Sequence, residues 1–185
     1  MASTIWTIGH STRPIEAFIE LLKAHSIQQL MDVRTIPRSR HNPQFNTDTL
    51  ARSLKQVGLS YVHLPHLGGF RKAKKDSINV GWRNASFRGY ADYMQTEEFH
   101  RALEELMAYG TDTRAAVMCA EAVPWRCHRS LIADALLVRQ WEVQHILSPT
   151  DATRHQLTSF ARIADSQLRY PKNRTSYLPL PACSR

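Results

Sequence analysis

The stretch TRAAVMCAEAVPWRCHRSLIADALLVRQWEVQHIL, residues 113–147, holds two apolar runs of strand length on either side of a helical pattern. Residues 113–121 and 141–147 predict strands, and residues 125–140 predict a helix. A strand, a helix and a second strand in this order are typical of two parallel strands joined by a crossover. The stretch therefore indicates an α/β fold, and it crowds two cysteines, a glutamate, a histidine and two arginines between the first strand and the helix.

The rest of the chain alternates in the same way. The predicted elements are strands over 3–10, 27–34 and 59–64, and helices over 13–26, 47–58, 89–110 (in two pieces) and 148–164. Such alternation predicts parallel pairing under helices on both faces. We expect a single α/β domain over residues 3–165, with a mostly parallel, doubly wound, Rossmann-like sheet of about five strands, followed by an irregular tail over residues 166–185.

The composition favours a basic cytoplasmic protein with an anionic partner. The chain of 185 residues has a net charge of +8 and a pI near 9.8, which suits nucleotides or nucleic acid. No apolar run approaches the ~20 residues of a membrane helix, and the first residues lack the pattern of a secretion signal, so we expect no membrane partner. Three cysteines argue against a disulfide framework and for a reducing compartment. The oligomeric state is left open.

Ligands of parallel sheets bind beyond the carboxyl ends of the strands, and the polar residues of this chain gather there. The candidates for catalysis are His10, Cys119, Glu121, Cys127 and His128, and the candidates for anion binding are Asp32, Arg34, Arg40 and Arg129. In the leading hypothesis the arginines hold phosphate, Glu121 or a cysteine carries the chemistry, and a histidine transfers protons. The alternative for Asp32 and Arg34 is a structural ion pair that orders the following loop.

The start of the helix after residue 121 is unusually cationic. Arg126, His128 and Arg129 occupy its predicted first turn, where the helix dipole disfavours positive charge. A bound anion would relieve this conflict, and so would internal ion pairs with Glu121 or Asp32. The same dipole is expected to lower the pKa of a cysteine at the helix start.

Two other chemistries are open at these cysteines. A metal site formed by Cys119, Cys127 and His128 is disfavoured because adjacent residues on a helix point about 100° apart, so no metal or other cofactor is expected. A cysteine-dependent phosphatase or sulfurtransferase would fit the order of strand, loop and helix. The loop from Cys119 to Arg126, however, encloses six residues and has no glycine for close approach to an anion.

The region 65–88 predicts a long irregular loop with three glycines and six lysines or arginines. Cations that follow a phosphate backbone alternate there with aromatic side chains that can stack on bases. The candidates for nucleic-acid binding are Arg71, Lys72, Lys74, Lys75, Trp82 and Arg83. The alternative is a flexible loop whose aromatic residues cover the edge of the core. The leading function is an enzyme acting on a nucleotide or nucleic acid, and the rival is a nucleic-acid-binding module without catalysis.

Several motifs together resemble a known bacterial family. They are TIGHST (7–12), DVRTIPRSR (32–40), FN (45–46), YVHLPHLGG (61–69), MCAE (118–121) and CHRSLIA (127–133). Over about residues 4–147 the chain is similar to the family catalogued as domain of unknown function 488. The resemblance implies a compact α/β domain whose signature residues correspond to Cys119, Glu121, Cys127, His128 and Arg129, and it implies no particular activity.

Overall fold

The computed structural model describes residues 3–164 and 167–172. Its centre is one six-stranded sheet in the order β3-β2-β4-β1-β5-β6. The strands are β1 (Thr4–Gly9), β2 (Gln29–Asp32), β3 (Ser60–His63), β4 (Ala115–Cys119), β5 (Glu142–Ile146) and β6 (Ala152–Arg154). The first five pair in parallel and β6 is antiparallel to β5.

Within the described residues, five helices cover both faces of the sheet. They are α1 (Ile15–Ala24), α2 (Thr47–Gln56), α3 (Ala85–Tyr93), α4 (Glu97–Thr111) and α5 (Arg129–Val138). Side chains of β4 alternate between two apolar cores: Ala116 and Met118 pack with α1 and α2, whereas Val117 and Cys119 pack with α3, α4 and α5. A strand buried on both faces has no polar side, which explains the continuous apolar run in the sequence. The prediction of a mostly parallel, doubly wound α/β domain is confirmed.

The chain reverses its direction across the sheet between β1 and β4. From β1 it crosses to β2 through α1 on one face, and from β4 it crosses to β5 through α5 on the other. Just past this pair of strands the His10 amide donates to the Cys119 carbonyl at 3.0 Å, and the Ser11 amide donates to the Ala120 carbonyl at 2.8 Å. The carboxyl ends of the parallel strands form the edge of the sheet at which ligands of this architecture bind.

The predicted helix over 148–164 is wrong. Residues 152–154 form β6 on the edge of β5, and Arg162–Ala164 (β7) pairs with Gln167–Arg169 (β8) in a separate antiparallel hairpin. The physical reason is non-local: without β6 the outer edge of β5 would leave a row of backbone donors and acceptors unpaired.

The start of the predicted irregular tail is ordered where the structure describes it. β8 lies within it, and Tyr170 is fully buried with its hydroxyl donating to Asp134 Oδ2 at 2.8 Å. The remainder of the predicted tail, from residue 173 onward, lies outside the described residues. No helix within the described ranges is long and apolar enough to span a membrane.

Candidate active site

The side chains of Cys119, Cys127 and His128 converge beyond the end of β4. His128 Nδ1 lies 3.7 Å from Cys127 Sγ and 4.0 Å from Cys119 Sγ. The three atoms of metal-ligand type all lie within 4.8 Å of one another. Both cysteines are free thiols and buried, and His128 is half-buried. We call these three residues the thiol–imidazole centre.

The convergence depends on a local departure from the predicted helix. A short 3-10 turn covers Pro124–Arg126, Cys127 is extended with φ −133° and ψ 145°, and α5 begins only at Arg129. Cys127 and His128 are therefore not successive residues of one helix. The argument that their side chains point about 100° apart fails, and both reach toward Cys119.

Arg129, one of the cations at the positive end of the α5 dipole, is held there by backbone carbonyl oxygens. Its side chain is 1% exposed, and its Nη2 donates to the carbonyl oxygens of Glu121 at 2.6 Å and Ala122 at 3.4 Å. The guanidinium thus bonds the loop that follows β4 instead of opening to solvent. Arg129 therefore holds that loop, and its role in anion binding stays a prediction.

The pKa values of the two cysteines in the thiol–imidazole centre are shifted in opposite directions. The hydrogen bond from Cys119 lowers the pKa of Cys127 well below its usual value, against burial and with help from His128 and Arg129. The same bond, together with burial, raises the pKa of Cys119 well above its usual value. Cys127 is accordingly the thiol that ionises first.

The imidazole of His128 is oriented by the backbone. Its Nε2 lies 3.3 Å from the Val33 carbonyl oxygen, which only accepts hydrogen bonds. Nε2 is therefore the nitrogen that donates to this oxygen, and Nδ1 is the nitrogen that faces the two sulfurs. Tyr90 packs against the ring at 5.0 Å between centroids, and Gly69 lies so close to it that an added Cβ would stand 2.6 Å from Nδ1.

A second polar cluster lies on the other side of the same edge. Arg34 donates from Nε and Nη2 to the two carboxylate oxygens of Asp32 and also to the Phe45 carbonyl oxygen at 2.7 Å. Tyr61 donates to Asp32 Oδ2 at 2.8 Å, and His10 stacks on the Phe45 ring with its Nε2 3.2 Å from Arg34 Nη1. Burial, and next the charge of Arg34, lower the pKa of His10 to about 4. This pattern matches the structural alternative for Asp32 and Arg34.

An open cleft of about 670 Å³ lies over the thiol–imidazole centre. Four segments of the chain line it. One follows β2, one lies in the loop before α3, one is at the start of α3 and one follows β4. The lining residues are Arg34, Thr35, Ile36, Gly69, Phe70, Arg71, Lys72, Asn84, Ser86, Phe87, Cys119, Ala120, Glu121, Arg126, Cys127 and His128. Phe70 at the rim is 81% exposed.

The structure separates the predicted site residues into two groups. Within the cleft lie Cys119, Glu121, Cys127, His128, Arg34, Arg71 and Lys72, and outside its lining are His10, Asp32, Arg40, Arg129, Lys74, Lys75, Trp82 and Arg83. Arg40, Lys74, Lys75 and Arg83 are exposed elsewhere on the surface. Four of the five predicted catalytic residues therefore share one cleft and His10 does not, whereas most of the predicted nucleic-acid-binding residues lie outside it.

The basic loop, as we call the predicted loop over residues 65–88, is organised by a residue that the sequence did not single out. The buried carboxylate of Asp92 accepts hydrogen bonds from the Lys74 amide at 2.8 Å, from Ser77 Oγ at 2.6 Å and from Asn79 Nδ2 at 2.9 Å. Arg71 lies over the Tyr93 ring at 3.5 Å and donates to backbone carbonyls of the same loop. Nothing in the local sequence distinguishes Asp92 from an ordinary helix-surface aspartate.

A protein-family model described as domain of unknown function DUF488 matches residues 14–136, more than half of the chain. The chain belongs to the DUF488 family. The matched range includes both cysteines, the histidine and the basic loop of this DUF488 protein, so the cleft lies inside the family domain. No curated protein matches the chain, and no solved structure does.

Proposed function

We propose that the protein is an enzyme that acts on a nucleotide, or on a closely related phosphate-bearing molecule, in the cleft above the thiol–imidazole centre. The observation that carries the proposal is the position of two cysteines and a histidine on the lining of a cleft whose walls are cationic. Three groups capable of nucleophilic, acid–base or metal chemistry at one locus have no use in a protein that only binds.

The walls of the cleft suit an anion that carries an aromatic ring. Lys72 and Arg126 are exposed and line the cleft, and ammonium and guanidinium groups bind phosphate by charge-assisted hydrogen bonds. Phe70 offers an exposed ring on which a base can stack. A volume of about 670 Å³ is in the range of small-molecule sites, which favours a mononucleotide over a duplex.

Nucleotide binding tests the walls. Affinities for adenine and guanine nucleotides are measured by calorimetry for the wild type, Lys72→Ala, Arg126→Ala and, as a matched control, Lys55→Ala on exposed α2. Loss of one phosphate contact is expected to weaken binding about tenfold or more, while Lys55→Ala leaves it unchanged. Equal weakening of nucleotide binding in all three variants would indicate a general effect of charge and would contradict binding in the cleft.

Turnover tests the centre. Product formation from a panel of nucleotides is followed by mass spectrometry with wild type and Cys127→Ser. We expect the variant to bind nucleotide and to form no product. Binding of single-stranded RNA or DNA without any turnover, unaffected by Cys127→Ser and lost as salt rises, would favour the non-catalytic nucleic-acid-binding alternative.

A further inference from the structure

We infer that Cys119 Sγ, Cys127 Sγ and His128 Nδ1 form a binding site for a thiophilic divalent metal of the Zn²⁺ class, with one coordination position open to the cleft. In a tetrahedral zinc site with bonds of about 2.3 Å to sulfur and about 2.1 Å to nitrogen, neighbouring ligand atoms lie about 3.5–3.8 Å apart. The distances of 3.7 Å and 4.0 Å from Nδ1 to the two sulfurs are near that spacing. The side chains need little movement to close on an ion.

The orientation of the His128 ring is the one that a metal requires. Because Nε2 donates to the Val33 carbonyl, Nδ1 is the nitrogen left to bind an ion, and it faces both sulfurs. A histidine ligand whose other nitrogen donates to a backbone carbonyl is the usual outer-shell arrangement of protein metal sites. The hydrogen bond fixes the ring plane before any ion arrives.

Gly69 protects this arrangement on the face of the ring. A Cβ at residue 69 would stand 2.6 Å from Nδ1, 2.9 Å from Cγ and 3.0 Å from Cε1 of His128. These three short distances place it over the ring face beside Nδ1. Alanine at this position therefore has to push the imidazole away, although all three ligands are retained.

The donor set indicates both the class of ion and its use. Two thiolates and an imidazole are soft and borderline ligands, which select Zn²⁺, or Fe²⁺ and Co²⁺ in the same geometry, over Mg²⁺ or Ca²⁺. Three protein ligands leave a fourth position for water or substrate, as catalytic metal sites do. All three ligands line the cleft. The catalytic use of the ion rests on the proposed function, whereas its binding does not.

The test measures metal binding by reduced, chelator-stripped protein. Zn²⁺ affinity is determined in competition with a chromophoric chelator, and Co²⁺ loading is followed by the absorption of thiolate-to-cobalt charge transfer. We expect one ion per chain, with binding weakened by more than about 100-fold in Cys119→Ser, Cys127→Ser and His128→Ala, because loss of even an outer-shell partner costs about 10- to 100-fold. The control His41→Ala changes an exposed histidine and should leave affinity unchanged.

Two further measurements guard against variants that fail to fold. Gly69→Ala keeps the ligands and should weaken Zn²⁺ about tenfold or more. In the wild type, Zn²⁺ should protect Cys119 and Cys127, but not Cys183, from alkylation. Failure of Zn²⁺ to bind at this stoichiometry, or equal alkylation with and without it, would overturn the site. If nucleotide turnover persisted in that case, the proposed function would stand without the metal. Metal binding without any nucleotide binding would support the site and contradict the proposed function.

Discussion

Arg34 holds the carboxylate of Asp32 at two points: its Nε donates to Oδ1 at 2.9 Å and its Nη2 donates to Oδ2 at 2.6 Å. The Asp32 side chain is fully buried and that of Arg34 is 8% exposed. Removal of one partner from such a pair leaves an uncompensated buried charge. We therefore expect Asp32→Asn to lower the free energy of unfolding by about 3–5 kcal/mol, measured by urea denaturation.

The matched control for this pair is the ion pair between Arg154 on the edge strand β6 and Glu142 on the neighbouring strand β5. Its side chains are 66% and 39% exposed, and the distance between them is 3.0 Å. Because solvent screens such a pair, Glu142→Gln should change stability by about 1 kcal/mol or less. Equal effects of the two substitutions on the free energy of unfolding would contradict the stabilising role of the buried Asp32–Arg34 pair.

A buried hydrogen-bonded chain makes stability depend on pH. Thr7 Oγ1 lies 2.7 Å from His145 Nδ1, His145 Nε2 lies 2.9 Å from His155 Nδ1, and His155 Nε2 lies 2.9 Å from Asp134 Oδ1. Burial, followed by the charge of His155, lowers the pKa of His145 to about 3. The pKa of His10 is lowered to about 4.

Both histidines bind a proton more weakly in the folded protein than in the unfolded chain. The unfolded state therefore takes up more protons below about pH 6.5, and the stability that is present above that pH is lost progressively as the pH falls toward about 3. We expect the free energy of unfolding to fall by roughly 2–5 kcal/mol between about pH 7 and pH 4. His145→Gln should flatten this dependence, and exposed His41→Ala should not. An unchanged slope in His145→Gln would contradict the assignment.

The order of the central elements was predictable because strands such as β2 and β4 are buried on both faces and the helices between them carry apolar stripes. β4 and the start of α5 illustrate this: their apolar runs can only be accommodated between two layers. The meeting of Cys119 and Glu121 with Arg34 follows from the same logic, since parallel strands end at one edge. The apolar pattern of the sequence was enough to predict those elements whose burial follows from the type of secondary structure alone.

What escaped prediction depends on contacts between distant segments. β6 forms because the edge of β5 is available, and the basic loop is ordered by the carboxylate of Asp92 on a later helix. The extended conformation of Cys127 follows a 3-10 turn that replaces the first turn of a helix. A prediction based on helical periodicity therefore placed the side chains of Cys127 and His128 in different directions. Neither the turn nor the edge pairing has a periodic signal.

Gly9 sits where the loop after β4 crosses β1. A Cβ at Gly9 would overlap the carbonyl oxygen of Glu121 and lie 2.9 Å from the Ala122 Cα. Gly9→Ala should therefore displace this loop, lower the free energy of unfolding by about 1–3 kcal/mol and weaken ligand binding in the cleft. Gly58 has φ +77° and nothing within 4 Å of an added Cβ. Gly58→Ala should cost about 1 kcal/mol by backbone strain alone and leave binding intact. Thermal unfolding and nucleotide titration of both variants check this, and unaltered binding in Gly9→Ala would contradict it.

Trp82 and Phe70 are both aromatic residues of the basic loop. Truncation of Trp82 is expected to lower stability, whereas truncation of Phe70 is expected to lower nucleotide affinity. Trp82 packs against Phe87, Phe160 and Tyr170 with ring centroids 4.9, 4.9 and 5.5 Å away, so Trp82→Ala should lower stability by about 3–5 kcal/mol. Phe70 is 81% exposed at the rim of the cleft, so Phe70→Ala should change stability by only about 0.5 kcal/mol. Its effect should appear in nucleotide affinity, which stacking on the ring raises by roughly 1–3 kcal/mol.

Chemical denaturation and calorimetric titration of the two variants separate these roles. Trp82→Phe, which retains an aromatic ring in the core, should recover part of the stability and bind nucleotide like the wild type. Phe70→Leu, which keeps an apolar side chain without a ring, should bind as weakly as Phe70→Ala. A loss of affinity in Trp82→Phe with none in Phe70→Ala would move the base-stacking surface from the cleft to the loop, and would favour the nucleic-acid-binding reading of its lysines and arginines.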